Sequence, residues 1–149
     1  MVHIIKEDLD KDNYYKYSGI DTTEEITCDE NLGYIRFKNS VITTKSIILG
    51  LGNGIIAGYG IIAGDGIKAG GGIIAGDGIK AGGGIKAGGG IKAGLSIICR
   101  GILKFSYQLF AGTCTWRKTT KEDLIIECGK LETDGKIVLG NLIETGNKQ

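Results

Sequence analysis

The chain has 149 residues, with 18 Lys and Arg against 17 Asp and Glu, and carries 27 glycines without a single proline. A net charge of +1 excludes both the strongly basic balance of a protein that lives on nucleic acid and the acidity of a DNA mimic, so any contact with a polyanion has to be local. No run approaches 18 apolar residues, and the opening MVHIIKEDLDKD has neither the basic start nor the apolar stretch of a signal peptide, so a cytoplasmic protein without membrane contact is expected.

Residues 1–25 are polar, acidic and aromatic by turns, with no sustained period of 2 or 3.6, and read as an N-terminal cap. A repeat array must cover the open end of its first unit, and Tyr14, Tyr15 and Tyr17 are expected to pack over it. His3, the one histidine, reads as a surface or strand-edge residue.

A six-residue spacing begins at Ile35, Val41 and Ile47, with Phe37, Thr43 and Leu49 two places after each. It slips by two before Ile55 and then runs as Gly-x-Gly-Ile-x-Ala through Ile61, Ile67, Ile73, Ile79, Ile85 and Ile91, with Ile97 keeping the phase and Cys99 in the alanine's place. Residues two apart share one face of an extended segment, so each unit predicts a short strand with Ile and Ala inward. Gly-x-Gly predicts a corner, because glycine reaches positive φ and lets backbone approach closely. Helix is excluded by two glycines in every six residues. A fixed short period with one inward aliphatic per unit is the pattern of a solenoid, whose units bury their apolar edges by stacking. The predicted fold is all-β, a parallel β-helix (β-solenoid) built from hexapeptide rungs and capped at its N-terminus.

Two coil lengths fit. Residues 60–71 and 72–83 are the same dodecad, which predicts a two-sided coil with Lys68, Lys80, Lys92 and Lys104 on one face. A three-sided coil of eighteen residues stacks Lys68, Lys86 and Lys104 instead.

Leu103 and Leu109 keep the phase, which breaks over GTCTWRKTTKEDL (112–124) and resumes at Ile125, Leu131, Ile137 and Ile143. The expected organisation is a single domain: cap 1–25, solenoid 26–111 with a glycine-rich core at 50–97, loop 112–124, and C-terminal rungs 125–149. The loop holds the one tryptophan, Trp116, beside Arg117, Lys118 and Lys121. Loops on a regular scaffold concentrate binding residues, and Trp with Arg is typical of interface anchors and base stacking. The alternative is that Trp116 seals an apolar outer face and the charges solvate a turn.

Cys28, Cys99, Cys114 and Cys128 form no C-x-x-C pair, which is not a zinc pattern; they are expected as free thiols, with Cys99 in an alanine place of the repeat. Every unit matches G-x-G-x-x-A, but that fingerprint works only between a strand and a helix. Asp65 and Asp77, twelve apart, are too few for a calcium site. One histidine leaves no triad or metal cluster. No enzyme, cofactor or metal is expected.

The core GDGIKAGGGIIAGDGIKAGGGIKAGGGIKAG resembles the Gly/Ile/Ala-rich hexapeptide repeats of bacteriophage, prophage and large-virus proteins. FAGTCTWRKTTKE followed by IIECGKLETDGK is similar to tails attached to such repeats. The resemblance implies a β-solenoid in the host-cell cytosol that inhibits a host defence, anti-CRISPR proteins being the example. The hexapeptide acyltransferases differ in having a catalytic histidine and a small inward residue before the aliphatic one. The expected function is therefore non-catalytic inhibition by occupying a host protein or nucleoprotein complex, with local nucleic-acid contact, as a monomer or closed homodimer. Lys68, Lys80, Lys86 and Lys92 with Trp116, Arg117, Lys118 and Lys121 are the expected contact surface. The alternative is a structural protein that assembles itself into oligomers or fibres.

Overall fold

A computed structural model describes residues 1–146; residues 147–149 of the expected C-terminal rungs lie outside the described residues. After β1 (Val2–His3), β2 (Ile20–Thr22) and β3 (Ile26–Cys28), the strands come in threes, one from each side of a triangular coil. They are β4 (Tyr34–Phe37), β5 (Val41–Thr43) and β6 (Ile47–Leu49), then β7 (Gly54–Ala57), β8 (Ile61–Ala63) and β9 (Ile67–Ala69). The central coils hold β10 (Ile73–Ala75), β11 (Ile79–Ala81), β12 (Ile85–Ala87), β13 (Ile91–Ala93), β14 (Ile97–Cys99) and β15 (Ile102–Phe105). Last come β16 (Gln108–Ala111), β17 (Ile125–Cys128), β18 (Lys130–Thr133), β19 (Lys136–Leu139) and β20 (Asn141–Glu144).

These stack into three parallel sheets. Sheet I is β1-β3-β6-β9-β12-β15-β18, sheet II is β4-β7-β10-β13-β16-β19, and sheet III is β2-β5-β8-β11-β14-β17-β20. The fold is thus a three-sided parallel β-helix. Of the two coil lengths the longer holds: Ile55 pairs with Ile73, Ile73 with Ile91 and Ile91 with Leu109, each eighteen residues on. The two-residue slip before Ile55 makes the preceding coil twenty residues, pairing Ile35 with Ile55. The duplicated dodecad does not match a coil, because a coil needs three strands and three corners to close around the inward side chains.

The core is a column of aliphatics. Ile55, Ile61, Ile67, Ile73, Ile79, Ile85, Ile91 and Ile97 are each at most 2% exposed, with the alanines beside them at most 3%. The corner glycines are explained by only one of their two expected reasons. Among the described residues positive φ is confined to Asn13, Ser18, Gly33, Gly52, Tyr107, Gly112, Gly140 and Gly146, none of them a corner of the regular core. The glycine after each alanine is required by close approach instead. Gly82 N–H donates to Ala63 O (3.0 Å) and Gly88 N–H to Ala69 O (2.9 Å), which presses the backbone so near the previous coil that a Cβ on Gly82 or Gly88 would collide with the carbonyl of Gly64 or Gly70. At Arg100 and Ser106 the bond moves, to Gly83 O (3.2 Å) and Gly89 O (3.1 Å), whereas Thr44 and Thr145 keep it, to Thr22 O (3.2 Å) and Cys128 O (2.9 Å).

The slip before Ile55 is filled by Asn53, which is fully buried. Its Nδ2 donates to Glu30 O (2.6 Å) and its Oδ1 accepts from Leu32 N–H (2.7 Å), so the side chain replaces backbone bonds that the widened corner cannot make. Positive φ is needed beside it, at Gly52 (84°).

Inside residues 1–25, β1 and β2 are already rungs, and the intervening stretch lies over the end. Tyr15 packs on the core, its ring 5.2 Å from that of Phe37 and 5.6 Å from that of Tyr17. Tyr14 carries Arg36 and Lys38 over its ring, while Tyr17 is exposed. His3 is exposed at the edge of sheet I, its ring bonded to Thr27 Oγ1 (2.8 Å). One correction falls in the C-terminal rungs. In sheet III the inward residues are Ile126, which pairs with Ile97, and Leu142, which pairs with Ile126, in place of Ile125 and Ile143. Both positions sit in aliphatic doublets that spacing cannot resolve, and a one-residue shift exchanges the two faces of a strand.

Candidate interaction surface

Because inward positions are taken by the core, the residue between Ile and Ala is the one each rung offers to solvent. Along sheet I these residues are Ile48, Lys68, Lys86, Lys104 and Glu132, paired in register. Sheet II offers Ile56, Ile74, Lys92 and Phe110. Sheet III offers Ile42, Ile62, Lys80, Ile98 and Glu127.

The expected lysine set is therefore divided. Lys68 and Lys86 stand on sheet I with Lys104, Lys80 is on sheet III and Lys92 on sheet II, so the four cannot meet one flat partner together. Lys68, Lys86 and Lys104 form a ladder at the strand spacing of about 4.8 Å, and all three are exposed. Among the described residues none of them has a carboxylate within ion-pair distance; Glu132, next in the column, is held by Lys130 at 3.5 Å. A shallow groove of about 410 Å³ runs beside the ladder, floored by Ile48, Ile102 and the lysine stems.

The 112–124 loop leaves the corner between sheets II and III, on the side of the triangle opposite the ladder. Gly112 (φ 83°) turns the chain out. Thr113 N–H then donates to Ala93 O (3.2 Å) and Cys114 N–H to Gly94 O (3.0 Å), so the loop starts pinned along the preceding coil. The Trp116 indole reaches over Gly94, where a Cβ would come within 3.1 Å of its Cη2, yet 57% of the residue is exposed. It rests on the corner and still presents a face to solvent.

Arg117 is occupied within the loop. Its guanidinium makes a two-pronged contact with Asp123, Nη1 to Oδ2 at 2.7 Å and Nη2 to Oδ1 at 2.9 Å. Thr120 N–H donates to the same carboxylate (2.8 Å). The Arg117 contact foremost, then the Thr120 amide, hold the Asp123 carboxyl at a pKa of about 2. The side chains of Lys118 and Lys121 stay exposed. Arg117 therefore shapes the loop, and Trp116, Lys118 and Lys121 are exposed beside it.

The four cysteines are buried and free. Burial pushes the Cys99 thiol up to about 12 and the Cys128 thiol up to about 11, so neither is placed as a nucleophile. Two features escaped the sequence reading. The buried Asn53 looked like one more corner residue, though the phase slip beside it is its signal. The Arg117–Asp123 pair was invisible because its partners are joined by an irregular loop; the six-residue spacing from a cation to an acid carries no periodicity. No family model, curated protein or solved structure matches the chain. No helix is long and apolar enough to cross a membrane among the described residues.

Proposed function

We propose that the protein is a non-catalytic binding scaffold that lays the lysine ladder of sheet I against a phosphate-bearing or acidic surface of a partner. The observation that carries this reading is the in-register column Lys68, Lys86, Lys104, in which no lysine has a carboxylate within ion-pair distance among the described residues, Glu132 beyond Lys104 being paired with Lys130. Like charges directly opposite on neighbouring strands are mildly destabilising, and a polyanion laid along the column relieves that cost. The stiffness of the scaffold supports inhibition by occupancy, since a stack of hydrogen-bonded coils has little to reorganise on binding. The partner indicated by the resemblance to phage repeat proteins is a host defence nucleoprotein complex of the CRISPR type, with the protein acting as a phage-encoded inhibitor in the host cytosol. Trp116, Lys118 and Lys121, on the opposite side, serve a second contact. Head-to-tail pairing onto sheet II is disfavoured, because residues 13–15 lie along the free edge of β4 at the N-terminal end: Arg36 N–H donates to Asn13 O and Tyr15 N–H to Arg36 O (both 2.8 Å).

The test uses a labelled single-stranded oligonucleotide and fluorescence anisotropy between 50 and 200 mM salt. Three phosphates neutralised on a single strand predict a log–log slope of about −2, a loss of roughly twentyfold across that range. Replacing Lys68, Lys86 and Lys104 together by Ser should abolish the slope, whereas replacing Lys80 and Lys92 should leave most of it. Equal slopes for parent and both variants would refute the ladder. Inhibition itself is read by adding the protein to a purified CRISPR effector and measuring target cleavage.

A further inference from the structure

The faces of the solenoid repeat one local arrangement, and sheet II shows what it accepts. The residue before each inward aliphatic also faces outward, and in the glycine-rich coils it is a glycine. On sheet II this outer column runs Tyr34, Gly54, Gly72, one place before the paired Ile35, Ile55 and Ile73. The Tyr34 side chain lies along it: a Cβ on Gly54 would collide with its ring and one on Gly72 with its hydroxyl. Gly72 N–H donates to Tyr34 Oη (3.2 Å). On sheet I the equivalent residues, one place before the paired Ile47, Ile67 and Ile85, are Ser46, Gly66 and Gly84. Ser46 is short and reaches only as far as Gly66, whose N–H donates to its Oγ (3.3 Å). The space that the phenol fills on sheet II is therefore open on sheet I, as part of the 410 Å³ groove that Ser46, Gly66 and Gly84 line beside Lys68 and Lys86. Gly84 N–H, the counterpart of the amide that Tyr34 satisfies, has no acceptor among the described residues.

We infer that this groove receives a base of a single-stranded nucleic acid, in the place that the Tyr34 ring takes on sheet II. The inference rests on the lysine-ladder reading above and names the ligand that the ladder holds. A planar ring with an oxygen on its rim is what the Tyr34 face accommodates, and thymine, cytosine and guanine have that form. Laid over Gly66, such a base brings its carbonyl oxygen to Gly84 N–H, while the phosphates along its strand reach Lys68, Lys86 and Lys104. Ile48 and Ile102, both exposed at the groove, give the ring apolar contact. A phosphotyrosine side chain offers a ring as well, but its single phosphate does not engage three lysines in line. In a duplex the bases are stacked and paired, so no ring is free to enter; a single strand can splay one out. Sheet III has a similar opening over Gly60 and Gly78, but its walls carry Asp77 and the single Lys80, so it lacks the row of cations that holds a strand.

Fluorescence anisotropy with a short labelled oligothymidylate, competed by inorganic polyphosphate, tests the inference on the full chain. Gly66→Ile fills the groove without altering a charge. Ile102 already stands in the same outer column, one place before Leu103, so circular dichroism should show the fold unchanged. This variant should bind oligothymidylate about tenfold more weakly, the worth of one hydrogen bond, with the salt slope kept. It should bind polyphosphate, which has no ring, as the parent does. Gly60→Ile, the same change on sheet III, should alter neither. In the parent protein the Gly84 amide resonance should shift, and its hydrogen exchange slow, on adding oligothymidylate and not on adding polyphosphate. A parent that holds the oligonucleotide without any salt slope would remove the ladder reading and this inference with it. With the slope present, oligothymidylate binding untouched by Gly66→Ile, an equal loss with polyphosphate or in Gly60→Ile, an unmoved Gly84 amide, or tighter binding of a phosphotyrosyl peptide would overturn this inference alone.

Discussion

Replacing Gly82 by Ala should destabilise the solenoid, while the same replacement at Gly66 should stabilise it, although both are glycines of the same repeat. A Cβ on Gly82 would collide with the carbonyl oxygen of Gly64, a backbone atom of the coil before it that cannot rotate away. Relief requires the two coils to part by about 1 Å, which stretches the Gly82 N–H to Ala63 O bond from 3.0 Å beyond useful length. One lost backbone hydrogen bond costs about 1 kcal/mol and forced overpacking about 1–3 kcal/mol, so roughly 2–4 kcal/mol is expected. At Gly66 the added Cβ would stand 3.4 Å from Gly84 O, an ordinary contact, and Ser40, Ser46 and Ser96 already occupy the equivalent place before Val41, Ile47 and Ile97. There the main effect is on the unfolded chain, which loses freedom, giving a gain of about 0.5 kcal/mol. Urea unfolding followed by far-ultraviolet circular dichroism reads both; with a slope of about 2 kcal/mol/M the Gly82→Ala midpoint should fall by about 1–2 M. If Gly66→Ala proved as harmful as Gly82→Ala, or Gly82→Ala were neutral, close coil approach would not be the reason for the glycines.

Three further outcomes are expected. Ile79→Ala, at a position 1% exposed between Ile61 and Ile97 in its column, should cost about 3 kcal/mol in the same assay, whereas Lys80→Ala next to it should stay within about 0.5 kcal/mol. The Asp123 carboxyl titrates at about 2 in the folded loop against an ordinary 3.8. A carboxyl depressed by folding contributes stability above its unfolded pKa and loses it as pH falls through the folded one, so Trp116 emission should report loosening of the loop between about pH 4 and 2. Asp123→Asn should remove that pH dependence; an unchanged profile would dissociate the loop from the ion pair. Cys99 and Cys128, with thiols pushed up to about 12 and 11, should resist an aromatic disulfide reagent at pH 8 in the native protein and react after unfolding in urea. Rapid native labelling of either would contradict their place in the core.

Strand position was legible from residues 35 to 111 because each rung states its own inward pair: an aliphatic and a second inward residue two apart cannot both be buried in any other extended register. The same rule failed at Ile125 and Ile143, where an aliphatic neighbour, Ile126 or Leu142, satisfies it equally well. Pairing across a coil decided between them, and pairing is not a local property.

By itself the sequence determined that the chain is a stack of short parallel strands, which residues between 35 and 111 face inward, where the stack is interrupted, and that burial is shared among many equivalent rungs. Those are consequences of a period of six acting on side-chain direction. What only the tertiary structure decided is how many rungs close a coil, and with it every relation between outward residues. Eighteen residues per turn place Lys68, Lys86 and Lys104 in one column and send Lys80 and Lys92 to other faces, while a turn of twelve would have gathered Lys68, Lys80 and Lys92. The choice follows from closure: three rungs meeting at sharp corners enclose one Ile and one small side chain from each side with the backbone bonds satisfied between coils, and that balance depends on all three sides at once.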